Sequence, residues 1–191
     1  MQKVILFFLS SMTLLSCWQT AVKKSPETKD TSFSSDEEIT PDINQLRKEY
    51  ILSYNKPVEF ENESKGKSGE KIRIIGKYYC LFDSTVIVPP KYNYDDKTKS
   101  FITHNFAEDI LITSNGDTVI KKTITKDDFY SKLPAYLQAY AVIFEPKFEG
   151  YDNSNDEFNF SFSISIPLTD IGQEMDLHIK RNGQITTNVK K

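Results

Sequence analysis

Residues suited to metal or covalent chemistry are scarce in this chain. Of its 191 residues two are histidine and two are cysteine. Neither His104 nor His178 has a second Cys or His at metal-ligand spacing, so the sequence names no metal ligands. There is no Gly-x-Ser-x-Gly elbow, which removes the usual signature of a serine hydrolase. Lys65-Gly66-Lys67-Ser68 ends like a phosphate loop, but Glu61 stands where the first glycine is required, and the stretch reads as a solvated turn. Ser53-Tyr54-Asn55-Lys56 and Ser64-Lys65-Gly66-Lys67 have the Ser-x-x-Lys spacing of penicillin-recognising enzymes, without the Lys-Thr-Gly or Ser-Asp-Asn that would complete it. A basic excess is missing too: 24 Lys and Arg stand against 27 Asp and Glu. This balance gives no case for nucleic acid as a partner. No cofactor is implied.

What the chain does have is one long apolar run, and it lies at the start. Lys3 is followed by Val4 to Leu9 and by Met12, Leu14 and Leu15. That is too short to span a bilayer and reads as an export signal. Leu14-Leu15-Ser16-Cys17 has the form of a lipobox, and here the sequence resembles bacterial lipoproteins. The resemblance implies that residues 1–16 are a removed signal peptide, that Cys17 carries the lipid, palmitate included, and that the membrane is reached through that lipid. Without Lys3, 23 of the 24 basic residues remain against 27 acidic ones, a net charge of −4. With Cys17 lipidated, Cys80 has no partner for a disulfide. Its setting, Tyr78-Tyr79-Cys80-Leu81-Phe82, is that of a small buried hydrophobe, not of an accessible thiolate.

Residues 17–40 are polar and without periodicity, as expected of a flexible tether with a reach of roughly 25–30 Å. The remainder, 41–191, is expected to form one domain. Thr40-Pro41 resembles a cap and first turn, and Ile43, Leu46 and Tyr50 recur at helical spacing. Beyond them period two takes over. Phe158, Phe160, Phe162, Ile164 and Ile166 alternate with Asn159, Ser161, Ser163 and Ser165, the mark of an antiparallel sheet covered on one face. Other strands are expected near 58–60, 71–83, 85–89, 100–105, 106–113, 117–124, 138–149, 174–180 and 184–189. A second short helix is expected from Thr125, with Thr125 and Asp128 at capping-box spacing and Pro134 ending it. The fold class is therefore mainly β, an antiparallel sandwich or partly open barrel with an N-terminal helix and one short helix between strands.

Two Asn-Gly pairs mark hairpins. At 181–183 a three-residue loop with Gly183 left-handed pairs Ile179 with Ile185 and Leu177 with Thr187, uniting the apolar face. The same device at Asn115-Gly116 would pair Leu111 with Val119, Ile110 with Ile120 and Asp109 with Lys121. If strands alternate in direction from 71 on, the loops at 114–116, 150–156 and 181–183 share one end. The connections at 90–99, 125–133 and 168–173 then share the other, which brings together Tyr92, Tyr94 and Tyr130 as ligand-binding candidates. The oxygen-rich stretch 152–157 leaves a weak calcium loop open as an alternative to a polar connection, although Glu157 and Ser163 stand where an EF-hand needs Gly and Glu.

Val88-Pro89-Pro90-Lys91-Tyr92, Thr103-His104-Asn105-Phe106 and Thr125-Lys126-Asp127-Asp128-Phe129 give the whole chain a resemblance to small lipoproteins of Bacteroidetes-type bacteria that carry a domain of unknown function. The resemblance implies an outer-membrane lipoprotein and transfers no catalytic residue. Surface-exposed lipoproteins of such bacteria tend to have an acidic run directly after the cysteine. Here Trp18-Gln19-Thr20-Ala21-Val22-Lys23 follows, which points to the periplasmic face. Two function classes are expected from this: a lipid-anchored binding or scaffold module for a small molecule, glycan or protein, not an enzyme, or alternatively a periplasmic hydrolase whose site no motif announces.

Overall fold

The computed structural model describes residues 42–93 and 96–190. The expected signal peptide, tether, lipid cysteine Cys17, the Thr40-Pro41 cap and Tyr94 lie outside them. The first described element is α1 (Ile43–Ser53), capped by Asp42, whose side chain accepts from the Asn44 N–H at 2.9 Å. The helix is capped at Asp42, whose carboxylate satisfies the first-turn donor directly.

Strands follow as the alternation requires. One antiparallel sheet has the order β1 (Val58–Lys65), β2 (Lys71–Cys80), β5 (Phe106–Ser114), β6 (Asp117–Thr125). A second has the order β11 (Ile185–Val189), β10 (Gly172–Lys180), β9 (Glu157–Ser165), with β7 (Val142–Ile143) and β8 (Lys147–Asp152) both on the far edge of β9. Between β2 and β5 the chain leaves to form a small pair, β3 (Val86–Val88) with β4 (Phe101–Thr103). The sheets do not close into a barrel; the fold is mainly β and sandwich-like. One core unites them: Ile72, Ile74, Ile110 and Ile112 from the first sheet, Phe158, Phe160, Phe162 and Ile164 from the second, and Val86 and Val88 from the third.

The two Asn-Gly hairpins differ. At β10–β11 Ile179 pairs with Ile185 and Leu177 with Thr187, and Gly183 has φ +84°, so the three-residue loop is present as expected. At β5–β6 the expectation fails. Asn115 (φ 50°) and Gly116 (φ 97°) alone make a two-residue turn, with Ser114 opposite Asp117. A bulge at Val119 then shifts the register, so that Ile112 faces Ile120, Leu111 faces Lys121 and Asp109 faces Thr123. The primed turn matches strand twist, and the bulge restores the core pairing of Ile112 with Ile120.

Helical structure also departs from the reading. The capping box at Thr125 and Asp128 is present, but it opens a 3-10 helix, Lys126–Lys132. That helix does stop before Pro134, with Leu133 extended, but Pro134 also stands at the N-cap of α2 (Ala135–Tyr140), which runs into the stretch expected to be a strand at 138–149. Proline is well placed at a helix start, where no N–H is needed.

Candidate functional site

The ends of β2, β5 and β6 fix what lies at each end of the first sheet. Cys80 pairs with Phe106 and Ala107 with Thr125, so the segment 81–85, Asn105 and the turn after Thr125 share one end. The opposite end holds the turns expected there. Arg181 Nη1 donates to Glu70 Oε1 (2.5 Å) and Nη2 to Ser114 Oγ (2.7 Å), its backbone N–H donates to Asp156, and Lys67 reaches the Ser154 carbonyl. The counting of strand directions therefore places these loops correctly.

The first of these ends carries a hollow of about 280 Å³. Its rear wall is a bonded frame. Asp83 Oδ1 accepts from the backbone N–H of Asn105 (3.0 Å) and Thr85 (3.4 Å), and Oδ2 accepts from Asn105 Nδ2 (2.8 Å) and Thr85 Oγ1 (3.0 Å). Asn105 Nδ2 also donates to Thr85 Oγ1 at 2.8 Å. Burial opposes the charge on Asp83, but these donors, Asn105 foremost, outweigh it and hold the carboxyl below its ordinary value. The frame is strained: Phe82 (φ 54°) and Ser84 (φ 52°) are left-handed without being glycine, and Asn105 Oδ1 is buried without a hydrogen-bond partner. Such costs, of order 1–3 kcal/mol each, concentrate at functional segments.

The opposite wall comes from the capped turn and α2. Lys126 Nζ donates to the Ala141 carbonyl at 2.9 Å. Burial lowers the Lys126 pKa, against the opposing charges of Asp127 and Asp83. Gln138 Nε2 donates to the carbonyls of Tyr130 (3.0 Å) and Leu133 (2.9 Å), which fixes the orientation of its Oε1. Tyr130 and Leu81 stand at the rim, 52% and 40% exposed.

Of the sequence candidates, Tyr130 lines this hollow and Tyr92 does not. Tyr92 packs against Tyr140 (ring centroids 5.8 Å apart) and lines a separate tight crevice with Arg47, Val88, Pro167 and Leu168. Both tyrosines lie at one end, linked through α2, but Tyr92 has its ring against the core, as a capping residue would. Asp83, Asn105, Lys126, Asp127 and Gln138 were missed.

The other candidates are accounted for structurally. Asp152 accepts from the backbone and side chain of Ser154 and from Asn155, closing a turn, and these bonds pull its pKa down to about 2. Among the described residues no group of three His, Cys, Asp or Glu is placed to hold a metal ion. His178 Nδ1 pairs with Asn159 Oδ1 at 2.7 Å. Cys80 is buried and unpaired, and burial raises its pKa. A trough on the outward face of the first sheet, about 390 Å³ between Ile75, Leu111 and Lys121, has its carboxylate Asp109 already accepting from Thr123 at 2.6 Å. No family model and no curated protein matches the chain.

Proposed function

We propose that this chain is a lipid-anchored binding module of the cell envelope, held in the outer membrane through Cys17, facing the periplasm, with the hollow beside Lys126 and Tyr130 as its ligand site. The anchor rests on the Leu14–Cys17 box and the periplasmic face on the absence of an acidic run after it. The site rests on one observation. The frame groups bond to one another, while the opposite wall presents Lys126, Asp127, Gln138 and Tyr130 around an open depression. Sites of this kind combine a few fixed polar groups with an apolar or aromatic rim.

The hydrolase alternative has one Ser–His approach to lean on, and its geometry is poor. His104 Nδ1 already accepts from the Ser84 N–H at 2.8 Å, Ser84 Oγ is 3.4 Å away, and Asp83 is bonded to Asn105 and Thr85. A nucleophile needs an accepting nitrogen oriented by a third group.

Amide-resolved NMR of the full-length chain, titrated with a library of small polar compounds, tests the site. Shifts confined to 81–85, 105 and 125–138 are expected. Shifts confined to any other surface, or none at millimolar concentrations, would reject it.

A further inference from the structure

We propose that the hollow takes a neutral polyhydroxylated ligand, a sugar-like ring, whose hydroxyls bridge Lys126 to Gln138 and Asp127 and whose C–H face lies on Tyr130. The proposal rests on the binding reading above and narrows it to a ligand class.

The class follows from which hydrogen-bonding groups are already engaged. The two oxygens of Asp83 receive four donors, which fills the usual capacity of a carboxylate. It therefore has no acceptor site left for a ligand's donor. Both hydrogens of Asn105 Nδ2 and both of Gln138 Nε2 are engaged within the fold. Lys126 commits one of its three N–H donors to Ala141. The wall thus offers a cationic donor with two hydrogens to give, an amide oxygen that can only accept, and the exposed carboxylate of Asp127.

Charge then decides among small polar ligands. Asp83, Asp127 and Lys126 sum to a negative site, which disfavours an anion. An ammonium ligand would be drawn by that net charge, but it would meet the half-buried Lys126 ammonium and find Asp83 already saturated, with Asp127 left to accept from it. A hydroxyl group avoids both conflicts, because it accepts from Lys126 and donates to Gln138 Oε1 or Asp127 at once. Adjacent hydroxyls on a ring can repeat that bridge. The Tyr130 ring, half exposed, with its backbone carbonyl held by Gln138, supplies a rigid amphipathic surface at low entropic cost. The volume, about 280 Å³, sits at the lower bound of ordinary ligand pockets and suits one ring better than a chain of them.

The test is saturation-transfer NMR on the purified full-length chain in a detergent without a sugar headgroup. The panel holds glucose, galactose, mannose and N-acetylglucosamine, with glucuronate, glucosamine, glutamine and adenosine as competitors of other classes. At least one neutral sugar should bind, and Tyr130→Ala and Lys126→Met should each weaken it by about tenfold or more. Tyr130→Phe should restore most of the affinity lost in Tyr130→Ala, and Lys121→Ala, on the outward sheet face, should leave binding as it was. Thermal unfolding of each variant checks the fold; Tyr130 is exposed, so its substitution should leave the melting temperature in place. Preference for glucuronate, glucosamine, glutamine or adenosine, lost in the same two variants, would overturn the ligand class and leave the hollow as a site. Sugar binding that ignores both variants, or no binding by any compound, would overturn the class and the site together.

Discussion

Glu108 is the residue whose environment conflicts most with its chemistry. It sits on β5 opposite Tyr78 and Ile124, fully buried, and neither carboxyl oxygen has a hydrogen-bond partner. Gly76 on β2 leaves room for it; a Cβ there would collide with the Phe60 ring and with Glu108 itself. Burial pushes its pKa up to about 8, opposed by the nearby Lys77 backbone N–H, which falls short of a hydrogen bond, and helped by Asp109 and Glu145. The folded state therefore keeps a proton that the unfolded chain releases near 4.5. Stability should fall as pH rises from about 4.5 to about 8, by an amount on the order of 4 kcal/mol, and then level off. Urea denaturation across that window should show the slope in the wild type and lose most of it in Glu108→Gln; parallel profiles would refute the assignment. The alternation Phe106, Glu108, Ile110, Ile112 places Glu108 on the core face, but a sequence pattern cannot show that no partner meets it there. Cys80 was legible, because its neighbours are apolar on both sides. A thiol reagent should modify it only in denaturant, and prompt reaction with the native protein would contradict its burial.

At the scale of elements, long alternating strands were readable and short helical pieces were not. β9 shows its apolar face over nine residues, and the three-residue loop at 181–183 follows from aligning two such faces. The β5–β6 turn escaped that reasoning because a bulge at Val119 lets a shorter turn reach a good core register. Ala135–Tyr140 escaped because six residues give less than two helical turns, too few for a period to emerge from an aromatic-rich stretch. The capping box at Thr125 was legible, since it is a local bond between residues three apart. It matters beyond its own helix, because it sets where Lys126 and Tyr130 emerge toward the hollow. Thr125→Ala should cost about 1 kcal/mol. In a double-mutant cycle with Asp128→Ala the two losses should be less than additive, since the Thr125 hydroxyl and the Asp128 carboxylate, which accepts from the Thr125 backbone N–H at 2.8 Å, close the same first turn. Strict additivity would mean that the two halves of the box act independently.

For the whole molecule, the sorting of loops between two ends was legible; the order of strands within the sheets and the hollow were not. Counting strand directions sorts the loops between the two ends, because antiparallel neighbours leave little choice. The hollow is assembled from 81–85, Asn105 and 125–138, polar stretches that no periodicity connects, and its frame depends on left-handed Phe82 and Ser84. The same separation applies to the proposed anchor, since nothing in the β domain bears on how the protein reaches a membrane. On the proposed reading, the chain left after removal of residues 1–16 would carry a net charge of −4, which an anionic lipid surface would repel, so attachment would come through the lipid on Cys17. One acyl chain alone holds a protein only marginally, whereas the several chains of a bacterial lipoprotein anchor hold it firmly. Labelling cells with an alkyne palmitate analogue should therefore mark the wild type and not Cys17→Ala, and Cys17→Ala should move from the membrane fraction to the soluble one. Protease added to intact cells should leave the wild type whole and digest it once the outer membrane is opened. Equal labelling of both proteins would remove the anchor, and rapid digestion on intact cells would place the domain on the outer surface instead of the periplasmic side.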